Sequence, residues 1–328
     1  MQKVYVNFLD NYTDIAVQKE DVLEWFYHIE NNFLTGSIFV GKVKFVKKQI
    51  GVFVDVGMER DGILAFREGL KAGDYILVQV VKEPTIDKGC ALTEKLTIAG
   101  RYAVLNDVGE YKFSRKLSEK TKSELFKLEP KNDVGFIYRS ACENTDVLTI
   151  KNELEQLYNK YKEILSSSKN VNNVKRLYQD TPIDVAKRFA YSDDDVIIGF
   201  SEIENEIKEI GARKIYKKGV ELVFDKTEAM TVVDINVHQY KSDFSDVDTT
   251  NYNANVIAIK ELARQIRLRN LGGIIMVDFI SLRQKEYVEK LTTILIEELS
   301  KDNVKTKVEV VESIGCFAIV RTRRYSAL

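Results

Sequence analysis

Two apolar runs that each end in an aspartate constrain this chain more than any other feature. "GGIIMVDFI" places Asp278 behind Ile274, Ile275, Met276 and Val277, a run that reads as a fully buried strand. A buried ionised carboxylate is costly, so a partner, a proton or a metal has to accompany it. "TVVDIN" is a second such strand, ending in Asp234 with Asn236 two residues on. The two runs are separated by one amphipathic stretch, "NANVIAIKELARQIRLRN". A strand, a crossover helix and a second strand commonly lie side by side, which brings both aspartates to one sheet edge. Adjacent carboxylates repel unless a proton or a divalent cation sits between them. Their hard oxygens suit magnesium, or manganese, with Asn236 as a neutral ligand or the holder of a water. Such a site activates water and neutralises charge on a phosphodiester. Strand-end aspartates also cap the segment that follows, and Asp278 precedes "FISLRQKEYVEKL", so a capping role stands beside the metal.

With 328 residues the chain is long enough for two or three domains, and 45% hydrophobic with 30% charged residues is an ordinary globular composition. A net charge of −1 supplies no global field for nucleic acid, so a polyanion site has to come from local clusters. Arg264, Arg267 and Arg269 are one such cluster, although a solvated helix face explains them more cheaply than RNA does. Cys90, Cys142 and Cys316 are scattered, without a metal-binding spacing. That pattern argues against disulfides and zinc and for a reducing compartment. No signal-like or membrane-length apolar segment occurs, so the expected location is cytoplasmic, with no membrane partner.

Changes of period outline an α/β multidomain chain. Residues 1–35 alternate as strands but are too few for a domain. Between Gly36 and Leu96, "GSIFVGKVKFV", "IGVFVDVG", "DGILAF", "DYILVQVVKE" and "GCALTEKL" are short β-rich runs that suggest a small closed barrel. "VGFIYRSA" and "VLTI" read as further strands, and "KNELEQLYNKYKEILSSS" as an amphipathic helix. After Gly211, strands and helices alternate to the end.

"VVDIN" followed by "LARQIRLRNLGGIIMVDFI" resembles the catalytic core of the ribonuclease E/G family. "FVDVGMERDGILAF", "KGCALTEKLTIAGRY", "FSRKL" and "GFIYRSA" fit the same family. The resemblance implies a ribonuclease-H-like domain of residues 1–35 plus 100–210 with an inserted OB-fold RNA-binding barrel of residues 36–99. A deoxyribonuclease-I-like catalytic domain of residues 211–328 follows. It further implies that Asp234 and Asp278 bind magnesium, with Asn236 supporting the site. Arg139 and Ser140 in "YRS" correspond to a sensor of the RNA 5′ phosphate, with the Phe113 backbone amide beside them. Phe53 corresponds to a base-stacking aromatic and Lys88 to a phosphate contact, and Arg115 and Lys116 are the basic pair of "FSRK". On residue pattern alone Phe53 fits the barrel core equally well, because it alternates with Val52 and Val54.

Some positions depart from the family. The small basic loop that follows the first aspartate is replaced by "VHQYKSDFSDVDTT", which adds three aspartates and leaves Lys241 and His238 as partial substitutes. Val56 and Ile63 stand where aromatics are common. The cysteines of the intersubunit zinc link are absent after "RTRRYSAL", so no zinc is expected, a zinc-linked tetramer is unsupported and a homodimer stays open. The expectation is a metal-dependent endoribonuclease acting on single-stranded RNA in processing or decay, with a preference for 5′-monophosphate ends. The rivals are an RNA-binding protein of the same fold that cleaves weakly or not at all, and a ribosome-associated factor.

Overall fold

The computed structural model describes residues 2–84, 88–128, 133–240, 246–302 and 304–322. The chain divides into two compact units, Met1–Glu30 with Asp194–Leu328, and Asn31–Asp193.

The first unit opens with β1 (Gln2–Phe8), β2 (Tyr12–Lys19) and β3 (Val22–Glu30), an antiparallel meander. These residues are too few to stand alone, and β1 is completed by the strand Val196–Ile198, with Val4 opposite Val196.

The second unit begins with the barrel: β4 (Ile38–Lys47), β5 (Gly51–Asp55), β6 (Gly62–Leu64), β7 (Tyr75–Lys82) and β8 (Ala91–Thr93). Its strands run in the order β4-β5-β6-β8-β7, and β7 pairs back onto β4 to close the ring. Closure removes the unpaired edges that a small sheet would otherwise expose. Val43, Val52, Val54, Val56, Val78 and Val80 fill the interior, each at most 1% exposed. This closed five-stranded barrel is consistent with an OB-fold. A second sheet follows, made of β9 (Thr97–Ala99), β10 (Ala103–Asn106), β11 (Lys112–Phe113) and β12 (Gly135–Tyr138), in the order β11-β12-β10-β9. Helix α1 (Glu119–Phe126) and the long α2 (Val147–Ser168) flank it, and β13 (Lys175–Tyr178) and α3 (Pro182–Lys187) end the unit. Residues 147–150, "VLTI", form the first turn of α2 instead of the expected strand. The reason is local: the Asp146 carboxylate accepts the Thr149 N–H at 2.9 Å and caps the helix there.

The chain then returns to the first unit. β14 (Val196–Ile198) pairs in parallel with β1, Val4 opposite Val196, and α4 (Glu204–Glu209) follows. β15 (Lys214–Lys217), β16 (Val220–Lys226) and β17 (Met230–Val237) lead into α5 (Val247–Leu268) and β18 (Gly273–Asp278). Finally come α6 (Lys285–Leu299), β19 (Thr306–Val311) and β20 (Cys316–Arg321). The six strands lie in the order β15-β16-β17-β18-β20-β19, with β17 and β18 parallel. Their core combines Val233, Ile235, Ile275 and Val277 with Ala258, Ile259, Leu262 and Ile266 of α5. Residues 2–30 belong to the same compact unit as the C-terminal sheet.

The arginines of α5 do not form a solvated face. Arg267 is 4% and Arg269 7% exposed. Arg264 donates to Leu23 O at 2.8 Å, and Arg267 pairs with the Glu24 carboxylate and lies over the Trp25 ring at 5.3 Å. Arg269 lies 4.2 Å over Phe224 and donates to Ala212 O at 2.7 Å, and its burial pulls its pKa down to about 10. Guanidinium groups combine a flat stacking face with several donors, so they can be buried against a strand where lysine could not. Arg267→Ala should lower the unfolding free energy by about 2–3 kcal/mol in urea titration, because it removes a buried pair and its hydrogen bonds. Arg264→Ala, which strips the two-point partner from the buried Glu261 carboxylate, should cost a similar amount; a loss below about 0.5 kcal/mol in either variant would contradict this account.

Candidate active site

Asp234 and Asp278 end adjacent parallel strands in direct register. Their Cα atoms are therefore about 4.8 Å apart, the spacing between neighbouring strands. Strand alternation decides where the side chains point. On β18, Ile275 and Val277 are buried while Ile274 and Asp278 are exposed; on β17, Val233 and Ile235 are buried while Val232, Asp234 and Asn236 are exposed. The "IIMVD" run is thus not the fully buried strand its composition suggested, because α5 and α6 cover only one face of the sheet. Asp278 stands on the open face, and the cost of burial that seemed to demand a partner does not arise.

The capping alternative also fails. α6 starts at Lys285, with Gln284 as its N-cap and no side-chain cap bond, six residues beyond Asp278. α5 is capped by Asp246, whose carboxylate accepts the Thr249 N–H at 2.7 Å. Both strand-end aspartates are left for another purpose. Asn236 donates from Nδ2 to Asp234 Oδ2 at 2.7 Å, which fixes one carboxylate oxygen as an acceptor. The Cys316 thiol lies across the edge, and its pKa is raised by partial burial and by the Asp278 charge. Among the described residues no group of three or more His, Cys, Asp or Glu converges as a metal cage. The donor set at this edge is two exposed carboxylates and one amide oxygen, all hard ligands that leave room for water, and it fits magnesium or manganese.

The neighbourhood is held by residues that sequence reasoning overlooked. Asn255 of α5 is fully buried; it donates to Ile280 O at 2.7 Å and accepts the Ile280 N–H at 3.0 Å. Asp248, 8% exposed, accepts the N–H groups of Arg283 and Gln284 at 2.8 and 3.0 Å. It thereby places a negative charge at the start of α6. Asn251 donates to Ser281 O at 3.1 Å. A visible signal was present: Asn255 sits inside the apolar stripe of Ala254, Ala258 and Ile259, where a polar side chain needs a specific partner. The loop after Asn236 also changes meaning. Of its three added aspartates, Asp246 caps α5 and Asp248 clasps the loop after Asp278, while Asp243 and Lys241 lie outside the described residues. His238 is exposed, 5.3 Å from the Tyr216 ring, and its backbone N–H is held by Gly219 O at 2.9 Å.

In the other unit, β11 pairs with β12 so that Phe113 lies opposite Tyr138, their rings stacked at 5.2 Å and 8°. Ser114 N–H donates to Tyr138 O, so by strand alternation the Phe113 N–H points to the outer side of this edge strand. Arg139 follows directly. Its N–H donates to Tyr102 O and its Nη1 to Gly100 O, both at 2.7 Å. The Gly100–Tyr102 turn is in turn gripped by Glu153 of α2, which accepts the N–H groups of Arg101 and Tyr102 at 2.9 and 2.7 Å. Ser140 is exposed at the start of a short 3₁₀ turn, and Arg115 and Lys116 are exposed on the turn after β11. The fold thus gathers Arg139, Ser140 and Phe113 at one end of this sheet.

On the barrel, Phe53 points outward and does not enter the core, which Val52 and Val54 occupy. It stacks on Phe45 at 4.3 Å, with Lys47 Nζ 5.5 Å from one ring and 6.0 Å from the other. Ile63 continues this outer row, whereas Val56 belongs to the core. Lys88 is exposed, three residues before β8.

The sequence profile described as the Ribonuclease E/G family matches residues 97–194 and 183–324. Ribonuclease G of Escherichia coli K12 is 28% identical, the alignment covering 98% of this chain and 80% of that protein. Ribonuclease G of Haemophilus influenzae is 26% identical over 99% of this chain and 80% of its own length. Ribonuclease E of Buchnera aphidicola from Schizaphis graminum is 25% identical over 89% of this chain, but over 37% of that longer protein.

Removal of the Asn255 clasp should loosen the loop beside Asp278 before it unfolds the protein. Asn255→Ala is expected to raise amide hydrogen exchange across residues 279–284 by about tenfold or more, since two buried hydrogen bonds are lost. Unchanged protection there would remove Asn255 from the positioning role.

Proposed function

We propose, because the chain belongs to the ribonuclease E/G family, that it is a metal-dependent endoribonuclease acting on single-stranded RNA. The observation that supports this most directly is the in-register pair Asp234 and Asp278 on an uncovered sheet face, with Asn236 bonded to Asp234. Neither aspartate caps a helix, and both are open to a bulky polyanionic substrate. Asp234 and Asp278 would hold the divalent ion, which would supply charge neutralisation at the phosphodiester and activation of water. Asn236 orients Asp234 through its hydrogen bond. Asp248, Asn251 and Asn255 hold the loop after Asp278 by its main-chain groups. Water adds to phosphorus, the P–O3′ bond breaks and the 3′ oxygen takes a proton, which leaves a 5′ phosphate on one fragment and a 3′ hydroxyl on the other.

RNA contacts are assigned to the other unit. The outward Phe45–Phe53 stack beside Lys47 suits sequence-tolerant base stacking, with Lys88, Arg115 and Lys116 as phosphate contacts. Arg139 and Ser140, with the outward Phe113 N–H, form the 5′-phosphate sensor and confer a preference for monophosphorylated ends. In domain terms, residues 36–99 are the RNA-binding OB-fold, residues 211–328 the deoxyribonuclease-I-like catalytic domain, and residues 1–35 with 100–210 the ribonuclease-H-like part.

The test is incubation with a 5′-monophosphorylated single-stranded RNA in magnesium and in EDTA. Fragments should form only with magnesium, and Asp278→Asn should lower the rate at least about 100-fold. RNA affinity should stay within about threefold, because the site acts on the transition state. A variant that cuts normally would refute the assignment, and binding without cleavage by the native chain would leave an RNA-binding protein. In the same assay Arg139→Ala should equalise the rates on 5′-monophosphate and 5′-hydroxyl RNA; a preserved preference would remove Arg139 from the sensor.

A further inference from the structure

Asp278 also lines a cavity of about 770 Å³, within the size range of small-molecule sites. Its walls come from the loop after β18, from α6 and from the turn joining β19 to β20. Leu282, Val288 and Ile314 provide apolar surfaces for a flat ring. Glu289 and Glu312, both exposed, add carboxylates that can only accept hydrogen bonds, while Arg283 and Lys285 add positive charge. An aliphatic ligand would gain nothing from these five charges, Asp278 included, and an acidic peptide would bring neither a ring for the apolar walls nor a donor for the three carboxylates. A nucleotide satisfies all three features, with its base against the apolar walls, an amino group on a carboxylate and its phosphate near the cations.

We propose that this cavity receives the nucleobase adjoining the scissile phosphate and favours bases with an exocyclic amino group over uracil. The proposal rests on the nuclease reading for its location beside the cleaved bond, since Asp278 belongs to both places. Selectivity follows from the acceptors. Adenine, cytosine and guanine present N–H₂ groups to Glu289 and Glu312, whereas uracil offers them a single N3–H flanked by two carbonyl oxygens that the carboxylates repel, and is disfavoured.

The test separates the cavity from the cleavage reaction. The full chain, with labelled Leu, Val and Ile methyl groups and EDTA present, is titrated with adenosine, cytidine and uridine 5′-monophosphates. AMP and CMP should shift the Leu282, Val288 and Ile314 methyl resonances and bind at least threefold more tightly than UMP. Glu289→Ala combined with Glu312→Ala should bring that ratio close to one, and Ile314→Ala, on an exposed turn, should weaken all three nucleotides. Absence of methyl shifts with every nucleotide, or equal binding of all three unaffected by the double variant, would overturn the proposal even if cleavage depends on Asp278. Selective nucleotide binding in a protein that fails to cleave would uphold the cavity and refute the nuclease reading.

Discussion

Helix α5 clasps the chain on three sides, and the geometry of the carboxylate edge depends on that clasp. Its apolar stripe, with Ala254, Ala258, Ile259, Leu262 and Ile266 fully buried, seats it on the inner face of the sheet. Near its N-terminus Asp248, Asn251 and Asn255 hold the loop that follows Asp278 through five hydrogen bonds to main-chain groups. Near its C-terminus Arg264 and Arg267 fasten main-chain carbonyls of β3. Each of these polar groups is buried or half-buried, so each bond is expensive to leave unmade and correspondingly specific. The helix therefore fixes the sheet register, the loop beside the aspartates and the attachment of the N-terminal meander together.

One consequence is a sheet with two unlike faces. The covered face is the hydrophobic core of the C-terminal part. The other presents Asp234, Asn236 and Asp278 together with Val232 and Ile274 to solvent. The two carboxylates stay exposed to solvent and adjacent in register. Adjacent carboxylates repel one another when charged, and the proposed divalent-ion site rests on that proximity. The barrel follows the same alternation rule. Val52 and Val54 fill its interior, and the intervening Phe53 is turned outward onto Phe45 and the Lys47 ammonium.

Much of this was legible in the residues. Two apolar runs with an aspartate at the same relative position, joined by one helical stretch, were enough to predict adjacent parallel strands, because chain connectivity and strand period are local properties. The β-rich runs between Gly36 and Leu96 likewise announced the barrel. Burial was less legible. "IIMV" looks equally apolar whether one or both faces are covered, and only the placement of α5 and α6 on a single side exposes Ile274 and Asp278. "VLTI" looked like a strand because its residues favour one, and the Asp146 cap overrode that preference.

The sequence by itself determined most of the elements, the start of α2 excepted, the pairing of Asp234 with Asp278 and the family, since each rests on spacing and motif. Tertiary structure decided what the charges are for. Arg267 and Arg269, which read as a solvated face, are buried anchors; Asp248, which the sequence shows only as one of three aspartates added after Asn236, is a clasp on the loop beside Asp278. The physical reason is that a charged side chain is defined by its partner, and the deciding partners, Arg283 for Asp248 and Glu24 for Arg267, lie 35 and 243 residues away in the chain.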